Sequence, residues 1–154
     1  MRWVHLTGWP LLFAGLVSAA MQMDRAEGGE PKAGFDRIVL GSSGGIAGTG
    51  SGKALTVEAK GQIVTKARDK QKRGDLKAQE LEQLNKLVAA VDWKGLKASY
   101  LGVGSDFFVD DLAVSIGGKM YATRVSEEVK RKDLPKGLGP LLDYLDTLYK
   151  AYRP

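Results

Sequence analysis

Apolar residues alternate with polar ones in several short stretches of the chain, and recur every three or four residues in two longer stretches. Alternation is typical of a strand with one buried face, and the wider spacing of an amphipathic helix. The pattern predicts strands over 35–40, 55–60, 62–68, 107–116 and 119–125. It also predicts helices over about 76–91 and 138–152, from the leucine-rich stripes there.

Turn residues set the connections between these elements. Gly117-Gly118 predicts a two-residue hairpin, in which Leu112, Val114 and Ile116 share a face with Tyr121 and Val125. Asp69–Gly74 reads as a charged turn, with Asp75 as the N-cap of the first helix. Residues 92–105 read as an irregular connection that packs Trp93, Leu96 and Tyr100 on the core, while Tyr149 and Tyr152 continue the last leucine stripe.

The order is therefore strand, strand, strand, helix, strand, strand, helix. Strands joined by hairpins, with helices gathered on one side, predict an α+β fold. We expect an antiparallel sheet of about five strands, with two amphipathic helices packed on one face and the other face partly wet.

The N-terminus is typical of an export signal. Arg2 precedes the apolar residues 11–17, and the small residues Ser18, Ala19 and Ala20 suit cleavage. We expect a signal peptide over 1–20, a flexible lead over 21–34, and a single α+β domain over 35–154. The protein is then expected to be periplasmic or extracellular, without a later membrane span.

The amino-acid composition limits the kinds of reaction and metal site expected of the processed chain. The sequence has no cysteine, and its one histidine, His5, lies in the predicted signal. Disulfides, thiolate metal sites and a Ser-His-Asp triad are thus not expected in the processed chain. Asp106, Asp110 and Asp111 are the only close acidic group of catalytic interest, but neighbours on a strand point to opposite faces. We predict no enzyme activity, metal or cofactor.

Two further stretches are candidates for a binding site, namely a run of basic residues and a glycine-rich segment. The basic residues Lys66, Arg68, Lys70, Lys72, Arg73 and Lys77 are interrupted by acids, which favours a solvated hairpin end over a nucleic-acid site. An acidic cell-envelope polymer is a minor alternative for them. The glycine-rich residues 41–53 end in Gly-Lys, but Ala47 and Ala54 stand where a phosphate-binding loop needs glycine and a hydroxyl. A hairpin loop is the simpler interpretation.

Three segments carry a resemblance to a known family. They are the strand 37–40 running into 43–48, the helix ending at Ala89-Ala90-Val91-Asp92-Trp93, and Asp106-Phe107-Phe108 followed later by 138–145. In this order they resemble emfourin, a small proteinaceous inhibitor of thermolysin-like metalloproteases, and related small bacterial proteins. The export signal, the lead and a longer basic segment depart from that pattern.

The resemblance implies a compact α+β domain that binds a protease. The matching positions, and hence the expected binding residues, are Ser43, Gly44, Gly45, Ile46, Ala47 and Gly48. A thermolysin-like metalloprotease is the implied partner, and the mode would be cleft insertion or pairing with a strand edge. The alternative is a structural or cell-envelope-associated domain without a protease partner.

Overall fold

The computed structural model describes residues 34–44, 52–103 and 108–154. Its strands are β1 (Arg37–Gly44), β2 (Lys53–Glu58), β3 (Gln62–Ala67), β4 (Lys70–Asp75), β5 (Ser99–Tyr100), β6 (Phe108–Ile116) and β7 (Lys119–Ser126). The helices are α1 (Ala78–Ala89) and α2 (Leu138–Tyr152), with short 3-10 helices at Trp93–Gly95 and Arg131–Asp133. The α+β class predicted from the sequence is confirmed.

The sheet is larger than predicted and is mixed. Its seven strands lie in the order β4-β3-β2-β1-β6-β7-β5, with every neighbouring pair antiparallel except β5 and β7, which are parallel. The prediction of about five antiparallel strands was wrong in two places. Residues 70–75 form β4 where a charged turn was predicted, and β5 lies within the predicted irregular connection.

Strand β4 escaped the pattern because it has almost nothing to bury. Its sequence is Lys-Gln-Lys-Arg-Gly-Asp, and five of its six residues are exposed. It pairs with β3 through a two-residue turn at Arg68 and Asp69, in which Arg68 takes a left-handed conformation with φ 54°. Backbone pairing with β3 and a hydrogen bond from the Tyr152 hydroxyl to the Asp75 carbonyl at 3.1 Å hold this strand at the edge of the sheet, where charged side chains are tolerated.

One face of the sheet carries the core, and we call it the covered face. Strand β1 places Ile38 and Leu40 there, opposite Val57 and Leu55 of β2. These side chains join one core cluster with buried leucines of both helices, including Leu84 of α1 and Leu145 of α2. The opposite face, which we call the open face, bears Val39, Gly41 and their neighbours, so the predicted one-sided packing is confirmed.

The predicted hairpin before the last helix is also confirmed. Gly117 and Gly118 have φ values of 57° and 78°, which a two-residue turn of this hand requires. Val114 pairs with Tyr121, and Leu112, Val114 and Val125 are buried on the covered face. Trp93, Leu96, Tyr100, Tyr149 and Tyr152 are partly buried against the core, as predicted.

The start of α1 differs from the prediction. Asp75 ends β4, and the residue preceding the helix is Lys77, not Asp75. The Lys77 backbone N–H donates to the Glu80 carboxylate at 2.8 Å, so the side chain at the third helical position satisfies a free donor of the first turn. The helix begins later because Leu76, just beyond the β3–β4 pairing, still donates its backbone N–H to the Gly61 carbonyl.

The predicted signal peptide over 1–20 and nearly all of the predicted lead over 21–34 lie outside the described residues. Neither α1 nor α2 is long and apolar enough to cross a bilayer, and this holds for every helix in the three described ranges. The described residues all fall within one compact unit, Pro31–Pro154.

Candidate binding end of the sheet

The structure describes two of the six predicted binding residues. Ser43 and Gly44 are the last residues of β1, whereas Gly45, Ile46, Ala47 and Gly48 lie outside the described residues. The sequence placed the end of this strand at Leu40, but pairing with β6 continues to Gly44. Ser43 and Gly44 are therefore strand residues, because β6 is long enough to give each of them a partner.

Both gaps in the described chain open at the same end of the sheet. Gly44 pairs with Phe108, and Ser42 lies between Lys53 of β2 and Asp110 of β6. Strand β1 thus ends, and β2 and β6 begin, at this end of the sheet. We call this the loop end, meaning the last three residues of β1, the first of β2, and residues 108–111 of β6. Gly44 has φ 127°, a backbone conformation that other residues rarely adopt.

On the covered side of the loop end, charged groups of the strands meet those of α2. Lys53 forms an ion pair with Asp146, which also pairs with Lys150 at 2.7 Å. The Lys53 ammonium lies 4.8 Å from the centre of the Tyr149 ring. Arg131 binds Asp143 at 3.0 Å. These groups surround a cavity of about 350 Å³, lined by Ser42, Lys53, Phe108, Asp110, Glu127, Arg131, Asp143 and Asp146.

Asp110 is the carboxylate most affected by this setting. Burial raises its pKa above the usual aspartate value, while the charges of Lys53 and Arg131 and a hydrogen bond from Ser42 lower it by less. Desolvation therefore outweighs attraction at this site. For Asp146 the balance is reversed, since its bonds to Lys150 and Lys53 together lower its pKa despite burial. The cluster thus holds one carboxylate with a raised pKa beside one with a lowered pKa.

On the open side, the adjacent residues make a separate network. Ser43 Oγ donates to Asp111 Oδ2 at 3.2 Å, and Arg124 Nε donates to Asp111 Oδ1 at 2.7 Å. Asp110 and Asp111 thus face opposite sides of the sheet, as strand alternation requires. Asp106, the third acid of the group noted in the sequence, lies outside the described residues.

A shallow groove of about 410 Å³ runs along the open face beside this network. Its lining is mainly apolar and of small residues, comprising Val39, Gly41, Ala98, Asp111, Leu112, Ala113, Ala122, Thr123 and Arg124. Val39 is 37% exposed. Small side chains on this face leave room for another surface to approach the backbone closely.

Exposed apolar side chains lie around the loop end. Leu101 and Phe108 are exposed, and Val103 is completely so. The segment 101–103 passes close to Ser126 and Glu128. Glycine at 102 permits this approach, because a Cβ there would lie 2.5 Å from the Glu128 carboxylate and 3.4 Å from Ser126 Oγ. Glu127 in turn donates its backbone N–H to the Phe108 carbonyl at 3.0 Å. We call Leu101, Val103 and Phe108 the apolar rim.

Sequence reasoning did not find the polar cluster. Lys53, Arg131 and Asp146 are far apart in the chain, and none belongs to a recognisable motif. The spacing of Asp143 and Asp146 within α2 is the one sequence signal, since it puts both carboxylates on neighbouring positions of one helix face. The strand partner of that face follows only from the tertiary structure.

No protein-family model matches this sequence, and no curated protein matches it significantly. Within residues 34–44, 52–103 and 108–154, no group of three or more Asp and Glu side chains is arranged to hold a metal ion. The likeness to emfourin therefore remains a resemblance carried by the sequence segments given above.

Proposed function

We propose that this chain is an exported binding module, without catalytic activity of its own, that inhibits a thermolysin-like metalloprotease through the loop end. The observation that carries the proposal is the pairing of Gly44 with Phe108, which places the end of β1 and the start of β6 side by side at the loop end of the sheet. A binding loop held at both ends by a sheet loses little further entropy when it docks.

The surroundings of the loop end support a protein partner. The apolar rim offers exposed Leu101, Val103 and Phe108, which gain from burial at an interface. The Ser43–Asp111–Arg124 network, on the open side of the same end of the sheet, offers polar groups for the margin of that interface. An apolar centre with a polar border is the usual composition of a protein-binding surface.

The ion pairs on the covered side of the loop end support the proposal of an inhibitor, because an inhibitor must keep its shape when the protease binds it. Lys53 links the start of β2 to Asp146 of α2, and Arg131 links the 3-10 helix before α2 to Asp143. Thermolysin-like proteases cut extended chains, so an inhibitor has to resist unfolding at the point of contact. The Lys53–Asp146 pair joins the sheet to α2 and is partly buried, so water and salt screen it less than the exposed pairs of the open face.

The proposal is tested by adding the purified protein to thermolysin and following hydrolysis of a short chromogenic peptide. Phe108→Glu should raise the inhibition constant at least about tenfold, because it puts a charge into an apolar contact. Met120→Glu is the matched control, since Met120 is 62% exposed at the opposite end of the same β6–β7 hairpin, and it should change inhibition less than about twofold.

Unchanged hydrolysis at about 10 μM protein would overturn the inhibitor proposal. That outcome would favour the alternative, a structural or envelope-associated domain without a protease partner. Equal loss of inhibition in both variants would instead show that contact is made outside the loop end.

A further inference from the structure

The edge strand β4 and the turn before it form a surface that the loop end does not involve. Five cations lie within eight residues there, namely Lys66, Arg68, Lys70, Lys72 and Arg73, with Asp69 as the one acid among them. All five are exposed. None of them forms an ion pair with another described residue, so the positive charge of this surface is not neutralised within the described fold.

Packing does not account for this composition. Lys70, Gln71, Lys72 and Arg73 are consecutive exposed residues, and none belongs to the core cluster. Lysine and glutamine are also not favoured in strands. The strand is held by its ladder with β3, so its side chains are free to meet another molecule.

The turn between β3 and β4 gives a second observation. Its residue Arg68 has φ 54°, a left-handed conformation that is unfavourable for a residue with a Cβ and that glycine or asparagine adopts more readily. Its backbone N–H donates to the Gly52 carbonyl at 3.3 Å, which holds the turn in place. A long charged side chain at such a position points to a use for the charge.

The outer edge of β4 also has free backbone groups. Leu76 donates its N–H inward to the Gly61 carbonyl at 2.8 Å, and inward and outward groups alternate along an antiparallel edge. Gly74, Lys72 and Lys70 therefore bond to β3, and the N–H and C=O groups of Gln71 and Arg73 point outward. Strand β4 is the last strand of the described sheet on that side.

We propose that β4 is a docking edge for an extended acidic segment of a partner protein, which adds to the sheet as an eighth strand. The backbone of Gln71 and Arg73 supplies hydrogen bonds, as in other cases of strand addition. Lys70 and Lys72 lie two residues apart on one face, about 7 Å from each other, and meet acidic residues at every second position of the incoming strand.

The same charges explain why a second copy of the chain is not the occupant. Two β4 strands side by side would place lysine and arginine against lysine and arginine, and cross-strand pairs of like charge are unfavourable. Cations on an edge strand normally prevent aggregation. An acidic strand is the one kind of strand for which they become attractive, and this selectivity is independent of the proposed protease inhibition.

A labelled peptide tests the proposal. The probe is an eight-residue peptide of alternating glutamate and threonine with a fluorescein at one end, titrated with the intact protein and followed by anisotropy. In an antiparallel pairing with glutamates opposite Lys70 and Lys72, the threonine N–H groups face β4. N-methylation of the threonines should then weaken binding at least about tenfold, and N-methylation of the glutamates should leave it within about twofold.

Charge reversal supplies the matching test on the protein. Lys70→Glu/Lys72→Glu should weaken binding at least about tenfold, while Lys94→Glu/Lys97→Glu, which changes the net charge equally among exposed residues preceding the opposite edge strand, should change it less than about twofold. Hydrogen exchange of the Gln71 and Arg73 amides should slow on binding.

Three results would overturn the proposal. One is no binding at about 100 μM wild-type protein in low salt. Another is that the two N-methylated peptides bind with equal affinity and that inorganic polyphosphate displaces the labelled peptide as well as the unlabelled peptide does. That result would mean that the edge attracts polyanions without strand pairing. The third is an equal loss in both charge-reversed proteins, which would mean that net charge alone decides. Inhibition of thermolysin is measured on the same variants, so each proposal can fail without the other.

Discussion

The covered face and the open face of the sheet use the same strands for different purposes. On the covered face, Leu40, Leu55 and Val114 are at most 2% exposed and pack with the leucines of both helices. On the open face, the same strands present small side chains and the surface ion pairs Arg37–Glu58 and Arg124–Asp111. Exposed pairs of this kind stabilise folding little.

This difference indicates that the covered face provides most of the stability of the fold, and that the open face is free to bind another molecule. Burial of large apolar side chains is the main favourable contribution to folding, and here it is concentrated between the covered face and α2. Changes on the open face and at the loop end should therefore alter binding without unfolding the protein. Four pairs of substitutions, each with one member on either side, test that division.

The largest effect is expected from Leu145→Ala against Val39→Ala. Leu145 is fully buried, so its truncation leaves a cavity and should lower the free energy of unfolding by about 3 to 4 kcal/mol. Val39 is 37% exposed, and its truncation should cost less than about 1 kcal/mol. Urea denaturation followed by tryptophan fluorescence measures both. Similar losses would mean that the open face carries part of the core.

A glycine pair gives the next largest contrast. Gly137, before α2, has φ 82°, and a Cβ there would lie 2.4 Å from the Ala90 carbonyl oxygen at the end of α1. Gly137→Ala should therefore cost about 3 kcal/mol, through backbone strain and displacement of one helix end from the other. Gly41 on the open face has open space around its Cβ position.

Gly41→Ala is the control for that change. It should be neutral or stabilise by up to about 1 kcal/mol, because alanine restricts the unfolded chain and meets nothing in the fold. Thermal unfolding by circular dichroism compares the two variants. If Gly137→Ala unfolds at the wild-type temperature, the joint between α1 and α2 is not as close as the structure places it.

How much of this division the sequence predicts depends on what each part buries. The pattern located β1, β2, β3, β6, β7 and both helices because alternation and helical spacing record which side chains are covered. It missed β4 and β5, since a fully charged edge strand and a strand of two residues leave no such record.

The loop end illustrates the same limit for the site. The glycine-rich segment was visible in the sequence, and Ser43 and Gly44 lie where it begins. The partners of that segment were not visible, because Lys53 meets Asp146 only after β2 and α2 pack together. Charged residues far apart in sequence carry no periodic signal, so only the fold brings them together.

A smaller difference in the free energy of unfolding is expected between threonine-to-valine substitutions on the covered face and on the open face. Thr123 is 3% exposed on the covered face, and its Oγ1 has no hydrogen-bond partner among the described residues. Thr123→Val keeps the shape and removes the unpaired hydroxyl, so it should stabilise the fold by about 1 kcal/mol. Thr56→Val on the half-buried open face should stay within about 0.5 kcal/mol. A destabilised Thr123→Val would indicate a bound water at that hydroxyl.

The smallest contrast concerns the neighbouring acids Asp110 and Asp111, and it is expressed as a pH dependence. Burial raises the pKa of Asp110, so the folded state binds its proton more tightly than the unfolded state does. The stabilisation from that proton is complete below the unfolded pKa and is lost as pH rises through the folded pKa. Asp110→Asn, which stays neutral, should therefore gain stability relative to wild type as pH increases from 3 to 7.

Asp111→Asn removes the same charge from the open face and serves as the control for that comparison. It breaks the contacts with Ser43 and Arg124, which lie among exposed groups and add little to the free energy of unfolding. Urea denaturation at several pH values should show a rising advantage for Asp110→Asn and no comparable rise for Asp111→Asn. Parallel pH profiles would mean that Asp110 keeps as much water around it as Asp111, and the two sides of the loop end would then be electrostatically alike.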